Sequence, residues 1–135
     1  MLPTKSELKA LLSEGGAAPR RALGQNFLAD HNMLRFIART AALSGKDLVL
    51  EIGPGPGHFT GLLAESAGHV IAVEVDCRLA DICREYLADT ANAEVIEADI
   101  LSGKSAINPE VLALLGDLHG TSYDSLKMVS NLPYS

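Results

Sequence analysis

The sequence predicts an α/β domain built on a mostly parallel sheet. Short apolar segments alternate with segments of helical periodicity from residue 48 onward, and a glycine-rich turn follows the first apolar segment. Alternating strands and helices are typical of a parallel sheet with helices on both faces. Such sheets bind ligands at the carboxyl ends of their strands, so we look for functional residues directly after each predicted strand.

Four strands and four helices make up the predicted domain. The strands are expected at residues 48–52, 70–75, 94–98 and 126–130. A helix ending near residue 42 precedes the first strand, and helices at 59–66, 79–87 and 109–115 lie between the strands. The last of these begins at Asn108-Pro109, because asparagine is a good N-cap and proline suits the first helical position.

Residues 1–22 are predicted to form a basic helical arm and linker, separate from a domain at residues 23–135. Thr4 and Glu7 have the spacing of a capping box, and Gly15-Gly16 would end the helix that follows. Residues 1–39 hold six bases and three acids, whereas residues 40–135 hold five bases and fourteen acids. A basic arm on an acidic body fits a polyanion contact, but charge alone favours a plain solvated helix.

The composition argues against several functional classes. No apolar run approaches the roughly 18 residues that a membrane span requires, and the first residues lack the apolar core of a signal peptide. Cys77 and Cys83 are the only cysteines, and we expect both to be buried, reduced thiols of a cytoplasmic protein. The four histidines are scattered without metal-ligand spacing, so we expect no metal site.

The glycine-rich turn and Glu74 indicate a nucleotide-type ligand. Glycines let backbone N–H groups approach a ligand closely, and an acid at the end of the next strand can accept ribose hydroxyls. Glu74 follows Gly53 by 21 residues and ends a predicted strand. The third glycine stands at 57, and His58 fills the position that a dinucleotide fingerprint reserves for glycine. The alternative is a plain tight turn with a surface acid.

The run Glu51–Gly57 resembles the first motif of class I S-adenosylmethionine methyltransferases. Asp99 follows the third strand, where this fold commonly faces the adenine; a loop acid or helix cap is the alternative. The chain closes with Asn131-Leu132-Pro133-Tyr134-Ser135, which resembles the catalytic motif of adenine amino-methyltransferases. The Asn131 side-chain oxygen and the Pro133 carbonyl would accept the two amine hydrogens, and Tyr134 would stack on the base.

Together with Gly24-Gln25-Asn26-Phe27-Leu28, these motifs resemble the small-subunit ribosomal RNA adenine dimethyltransferase family. The resemblance implies a Rossmann-like domain that binds S-adenosyl-L-methionine and dimethylates the 6-amino group of adenines in ribosomal RNA. It implies that Asn26 and Leu28 line the methionine end of the cofactor. It further implies loop contacts from Gly53 and Gly55, a ribose contact from Glu74, an adenine contact from Asp99, and Asn131 between the cofactor and the target amine.

The sequence stops directly after the catalytic motif. The later strands and the helical C-terminal domain of the family would then be absent, and the fourth strand would be an uncovered sheet edge, so we expect a homodimer through that edge or marginal stability. Two other functions stay open. One is a fragment that binds S-adenosylmethionine or nucleic acid without catalysis, and the other is a methyltransferase for DNA adenine or a small molecule.

Overall fold

The computed structural model describes residues 31–130, together with Ser6 and Ala10. The helices are α1 (His31–Thr40), α2 (His58–Ala64), α3 (Cys77–Tyr86) and α4 (Pro109–Ser122); the strands are β1 (Asp47–Ile52), β2 (His69–Glu74), β3 (Ala93–Glu97) and β4 (Ser125–Met128). The predicted alternation of strands and helices is therefore confirmed. Of the predicted basic arm the structure describes Ser6 and Ala10, both helical, so the proposed boundary near residue 22 lies outside the described residues.

The four strands form one parallel sheet in the order β3-β2-β1-β4. From β1 the chain adds β2 and β3 on one side and then returns to place β4 on the other side. The strand order therefore reverses next to β1, and a sheet of this type places its ligand site at the carboxyl end of the strands at that point. Within the described residues, β4 lies at the edge of the sheet, as the sequence predicted.

Two apolar clusters cover the two faces of the sheet. Successive side chains of a strand point to opposite faces. Accordingly Val49 packs in the first cluster, whereas Leu48 and Leu50 pack in the second. The first cluster joins the sheet to α1 and α2 through Leu34, Phe59 and Leu63, and the second joins it to α4 through Val111 and Leu115. Each such side chain, once buried, contributes about 1.5–3 kcal/mol.

Helix α3 begins with Asp76 as its N-cap, and its first residue, Cys77, differs from the prediction. The Asp76 carboxylate accepts hydrogen bonds from the backbone N–H groups of Arg78 (2.9 Å) and Leu79 (3.3 Å). Cys83 is buried as predicted, but Cys77 is exposed. The prediction for Cys77 was wrong because Cys77 is the first residue of α3. The buried residues of this helix begin only at Leu79.

Helix α4 is longer than the sequence suggested. It starts as predicted, with Asn108 accepting from the Glu110 N–H at 2.9 Å, but it continues to Ser122 instead of ending near Leu115. The extension follows from tertiary packing, because Leu118 lies against the same apolar cluster as Leu115.

A polar clasp holds β4 against β1. Lys127 Nζ lies 3.2 Å from Asp47 Oδ2 and donates to the carbonyls of Ala41 (3.3 Å) and Ala42 (3.2 Å), which follow α1. The Ser125 hydroxyl also donates to the Asp47 carboxylate. The bond from Ser125, with those from Ser44 and Lys127, outweighs burial and lowers the pKa of Asp47. The clasp therefore joins both strands to the end of α1.

Candidate cofactor-binding site

The glycine turn predicted from the sequence connects β1 to α2 at the point where the strand order reverses. Gly53, Gly55 and Gly57 all have positive φ angles, of 68°, 57° and 98°. A side chain is strained in this region of backbone conformation, so glycine is required. A Cβ on Gly57 would lie 2.8 Å from Cys83 Sγ, whereas a Cβ on Gly53 would meet nothing within 4 Å. The turn is thus closely packed at its helical end and open at its start.

Glu74 contacts this turn directly. It is the last residue of β2, its side chain is only 4% exposed, and its Oε1 accepts from the Gly55 N–H at 3.1 Å. Its Oε2 accepts from the Asp76 N–H at 3.0 Å. Burial raises the pKa of Glu74, and hydrogen bonds from these backbone N–H groups oppose that rise. The structure therefore brings together the turn and the acid that the sequence had paired on spacing alone.

Asp99 lies near the same end of the sheet, two residues after β3. The Ala98 N–H donates to the Glu74 carbonyl at 3.0 Å, which fixes the chain just before Asp99 beside the end of β2. The Asp99 side chain is exposed, and its Oδ1 accepts from the Leu101 N–H at 2.9 Å. This carboxylate stabilises its own turn and keeps lone pairs for a further donor.

Five predicted site residues lie outside the described residues: Asn26, Leu28, Asn131, Pro133 and Tyr134. The chain leading to Asn131 is described, and it is fixed beside the glycine turn. The Val129 N–H donates to the Leu50 carbonyl at 3.0 Å, and the Ser130 hydroxyl accepts from the Ile52 N–H at 2.6 Å. Ser130 therefore lies beside Ile52, which is the last residue of β1 and directly precedes Gly53 in the sequence.

Sequence reasoning assigned no role to two further residues at this site. Glu51 lies in β1 just before the turn, and Thr60 lies in the first turn of α2; their side chains are buried, and the Thr60 hydroxyl donates to Glu51. Glu51 begins the glycine motif, so its position was visible in the sequence. Its hydroxyl partner was not, because nothing in the pattern distinguishes Thr60 from an ordinary helix residue.

The site fits an adenosine-type ligand with a cationic end. The open backbone at Gly53, the carboxylate of Glu74 and the second buried acid Glu51 lie at one end of the sheet. Anionic phosphate groups would be repelled by the Glu74 carboxylate here, whereas hydroxyl and ammonium donors would meet acceptors. Within residues 31–130, with Ser6 and Ala10, no group of three or more His, Cys, Asp or Glu is arranged to hold a metal ion.

A parallel sheet in this order, with a glycine turn after β1 and an acid at the end of β2 that contacts the turn, defines a Rossmann-like methyltransferase domain. The profile of the ribosomal RNA adenine dimethylase family matches residues 16–135. The chain belongs to this family, whose methyl donor is S-adenosyl-L-methionine.

Curated relatives agree with this assignment. The chain is 39% identical over 128 residues to a protein named probable ribosomal RNA small subunit methyltransferase A from Methanopyrus kandleri, covering 95% of the chain and 40% of the relative. It is 42% identical to ribosomal RNA small subunit methyltransferase A from Moorella thermoacetica, covering 97% of the chain and 44% of the relative. The chain thus spans about two fifths of the length of these relatives.

Solved structures with the same fold include an rRNA methyltransferase and a dimethyladenosine transferase. The 23S rRNA methyltransferase ErmE is 34% identical with a TM-score of 0.56, over 79% of this chain and 48% of that one. A dimethyladenosine transferase from Plasmodium falciparum is 27% identical with a TM-score of 0.51, over 62% of this chain and 30% of that one.

Among the described helices, none is long and apolar enough to cross a membrane.

Proposed function

We propose that this chain supplies the cofactor-binding half of an enzyme that dimethylates the 6-amino group of adenines in small-subunit ribosomal RNA during ribosome biogenesis. The observation that carries the proposal is the bond from the Gly55 N–H to the Glu74 carboxylate, since it unites the turn and the acid in one site. Membership of the ribosomal RNA adenine dimethylase family supports the acceptor.

The described residues would hold the cofactor through complementary polar groups. Each oxygen of Glu74 accepts one backbone N–H and keeps lone pairs toward which ribose hydroxyls would donate. The open backbone at Gly53 would admit the ligand beside Gly55, and Asp99 would accept from the adenine amino group. Asn26 and Leu28 would line the methionine end by their match to the family motif.

Methyl transfer would take place beside the end of β4. Asn131 and Pro133 would accept the hydrogens of the adenine amine, and Tyr134 would stack on the base. Bound S-adenosylmethionine would supply the methyl group, its carbon–sulfur bond breaking as the carbon–nitrogen bond forms and the amine loses one proton. The contacts that fix Ser130 against Ile52 support this assignment, because they bring the chain to the glycine turn one residue earlier.

Methyl transfer from labelled cofactor to unmethylated small ribosomal subunits tests the proposal. We expect label on adenine in the RNA when the cofactor-binding half is joined to the remainder of a family member, with already dimethylated subunits as the control. Cofactor binding without any transfer in that context would favour the binding-only alternative. Transfer to DNA adenine or a small molecule, but not to the ribosomal subunit, would favour the alternative of a methyltransferase for those substrates.

In the same joined protein, we predict that Asn131→Ala lowers turnover far more than cofactor affinity. The reason is that Asn131 would orient the acceptor amine, and positioning supplies most of the acceleration in a reaction without a covalent nucleophile. Single-turnover rates and calorimetric affinity measure the two effects separately. Equal losses in both quantities would instead indicate that Asn131 maintains the fold.

The partners and location follow from the same function. We propose that the protein binds ribosomal RNA in the cytoplasm. The two free cysteines Cys77 and Cys83 support this location, since such thiols suit a reducing compartment.

We further propose that the isolated chain forms a homodimer through β4, where Leu126 and Met128 are exposed at the sheet edge. A monomer in sedimentation, with a cooperative thermal melt, would refute the dimer.

A further inference from the structure

A buried hydrogen bond joins the two ends of the glycine turn. Glu51 lies in β1, two residues before Gly53, and Thr60 lies in α2, three residues after Gly57. Their side chains are 2% and 0% exposed, and the Thr60 hydroxyl donates to Glu51 Oε1. The strand that enters the turn and the helix that leaves it are therefore connected by side chains as well as by the backbone.

Another acid, Glu74 on the neighbouring strand β2, contacts the same turn. Glu74 accepts from the Gly55 N–H in the middle of the turn, while Glu51 is held at its base. Two carboxyl groups thus flank one loop, and repulsion between them is one of the influences on the ionisation of Glu51. A cation bound over the turn would reduce this repulsion, because it would attract both groups.

The surroundings of Glu51 favour its neutral form. The groups that face it are the Glu74 carboxyl on β2, the Cys83 thiol on α3 and the Thr60 hydroxyl on α2. Burial raises the pKa of Glu51 to about 8, the bond from Thr60 opposes the rise, and Glu74 adds to it. Burial also raises the pKa of Cys83 to about 12, so this thiol stays neutral. Near neutral pH the Glu51 carboxyl therefore carries its proton.

We propose that Thr60 is a positioning residue of the cofactor site, whose hydroxyl holds the Glu51 carboxyl at the base of the glycine turn so that it ionises and attracts the cationic end of the ligand. The inference rests on the proposed cofactor, since S-adenosylmethionine carries positive charge on its sulfur and on its amino group. Binding then releases one proton from Glu51 to the solvent. The hydroxyl favours this step because it donates to the ionised carboxylate.

Calorimetry with S-adenosylmethionine on the full 135-residue chain tests the inference. Binding is measured from about pH 6 to about pH 9, in buffers of different ionisation enthalpy, so that both affinity and proton release are obtained. For the parent chain we expect affinity to rise with pH up to about 8, the value for Glu51, with release of up to one proton near neutrality.

Thr60→Val and Thr60→Ser are the matched variants, because valine keeps the shape without the hydroxyl and serine keeps the hydroxyl. We expect Thr60→Val to move the pH midpoint upward by about one unit, which weakens binding roughly tenfold near neutral pH and much less at about pH 9. Thr60→Ser should keep the parent profile. Glu51→Gln should lose the rise in affinity between about pH 6 and about pH 8 and release no proton through this site.

Three outcomes would overturn the inference. The first is an unchanged pH midpoint in Thr60→Val, which would show that the hydroxyl has a structural role alone. The second is proton release that persists in Glu51→Gln, a result that remains decisive if Thr60→Val fails to fold. Either result, with the parent chain still binding, leaves the proposed function intact. The third is a parent chain that does not bind S-adenosylmethionine at all, which would refute both.

Discussion

Replacing Glu74 by alanine gives the most direct test of the cofactor site. The side chain is 4% exposed, and its two oxygens accept from the Gly55 and Asp76 N–H groups. If it also accepts ribose hydroxyls, its loss removes charge-assisted hydrogen bonds, each worth about 1.5–3 kcal/mol. We therefore expect Glu74→Ala to weaken S-adenosylmethionine binding about 10- to 100-fold.

Glu97→Ala is the matched control for this measurement. Glu97 pairs with Glu74 in the register of β2 and β3, but its side chain is 45% exposed and its nearest ion-pair contact, with Arg84, is 3.9 Å long. An exposed pair of this length contributes about 0–1 kcal/mol, so cofactor affinity should change by less than about fivefold.

Calorimetric titration measures both affinities, and thermal melting shows whether each variant is folded. Unchanged affinity in a folded Glu74→Ala variant would mean that Glu74 is not the ribose acceptor. An equal loss in Glu97→Ala would attribute the effect to the overall charge of this end of the sheet.

The remaining predictions concern the stability of the site and of the sheet. Gly57→Ala should lower the free energy of unfolding by about 2–4 kcal/mol in denaturant titration, because it combines a φ of 98° with a Cβ 2.8 Å from Cys83 Sγ; full stability would contradict this packing. Lys127→Met should cost about 1 kcal/mol by the same assay, since it removes the ion pair to Asp47, and no change would mean that the clasp is not formed in solution. Burial raises the pKa of Glu51 from its ordinary 4.5 to about 8, so the folded state binds more protons than the unfolded state across that range, and this group lowers stability as pH rises through it. Glu51→Gln should remove that part of the slope in melts recorded at several pH values, and an unaltered slope would refute the burial argument.

The fold was largely predictable because its information is local. The apolar residues of β1 and β2 are continuous, as expected for strands covered on both faces, and Asn108-Pro109 marks the start of α4 correctly. The end of α4 was missed, because its extension beyond Leu115 depends on tertiary packing. Leu118 packs against the apolar cluster that contains residues of β1 and β2, which lie far away in the sequence. The exposure of Cys77 was missed for a related reason, since composition does not state which way a helical residue faces.

The candidate site, like the fold, was predictable from the sequence only in part. Spacing along the chain paired the glycine turn with Glu74, and the structure places them in direct contact. The roles predicted for Asn26, Leu28, Asn131, Pro133 and Tyr134 lie outside the described residues and stay predictions. The bond between Thr60 and Glu51 had no sequence signal, because a threonine in a helix is ordinary until the fold places its hydroxyl against a buried acid.

By itself, the sequence determined the class of fold, the location of the glycine turn and the family, because each depends on residue types at short, fixed spacings. The tertiary structure alone decided which groups share a low-dielectric environment. Burial beneath the turn makes Glu51 a proton-binding group, and the close approach of α3 makes glycine obligatory at 57. These properties arise from contacts between segments far apart in the chain, so no local pattern encodes them.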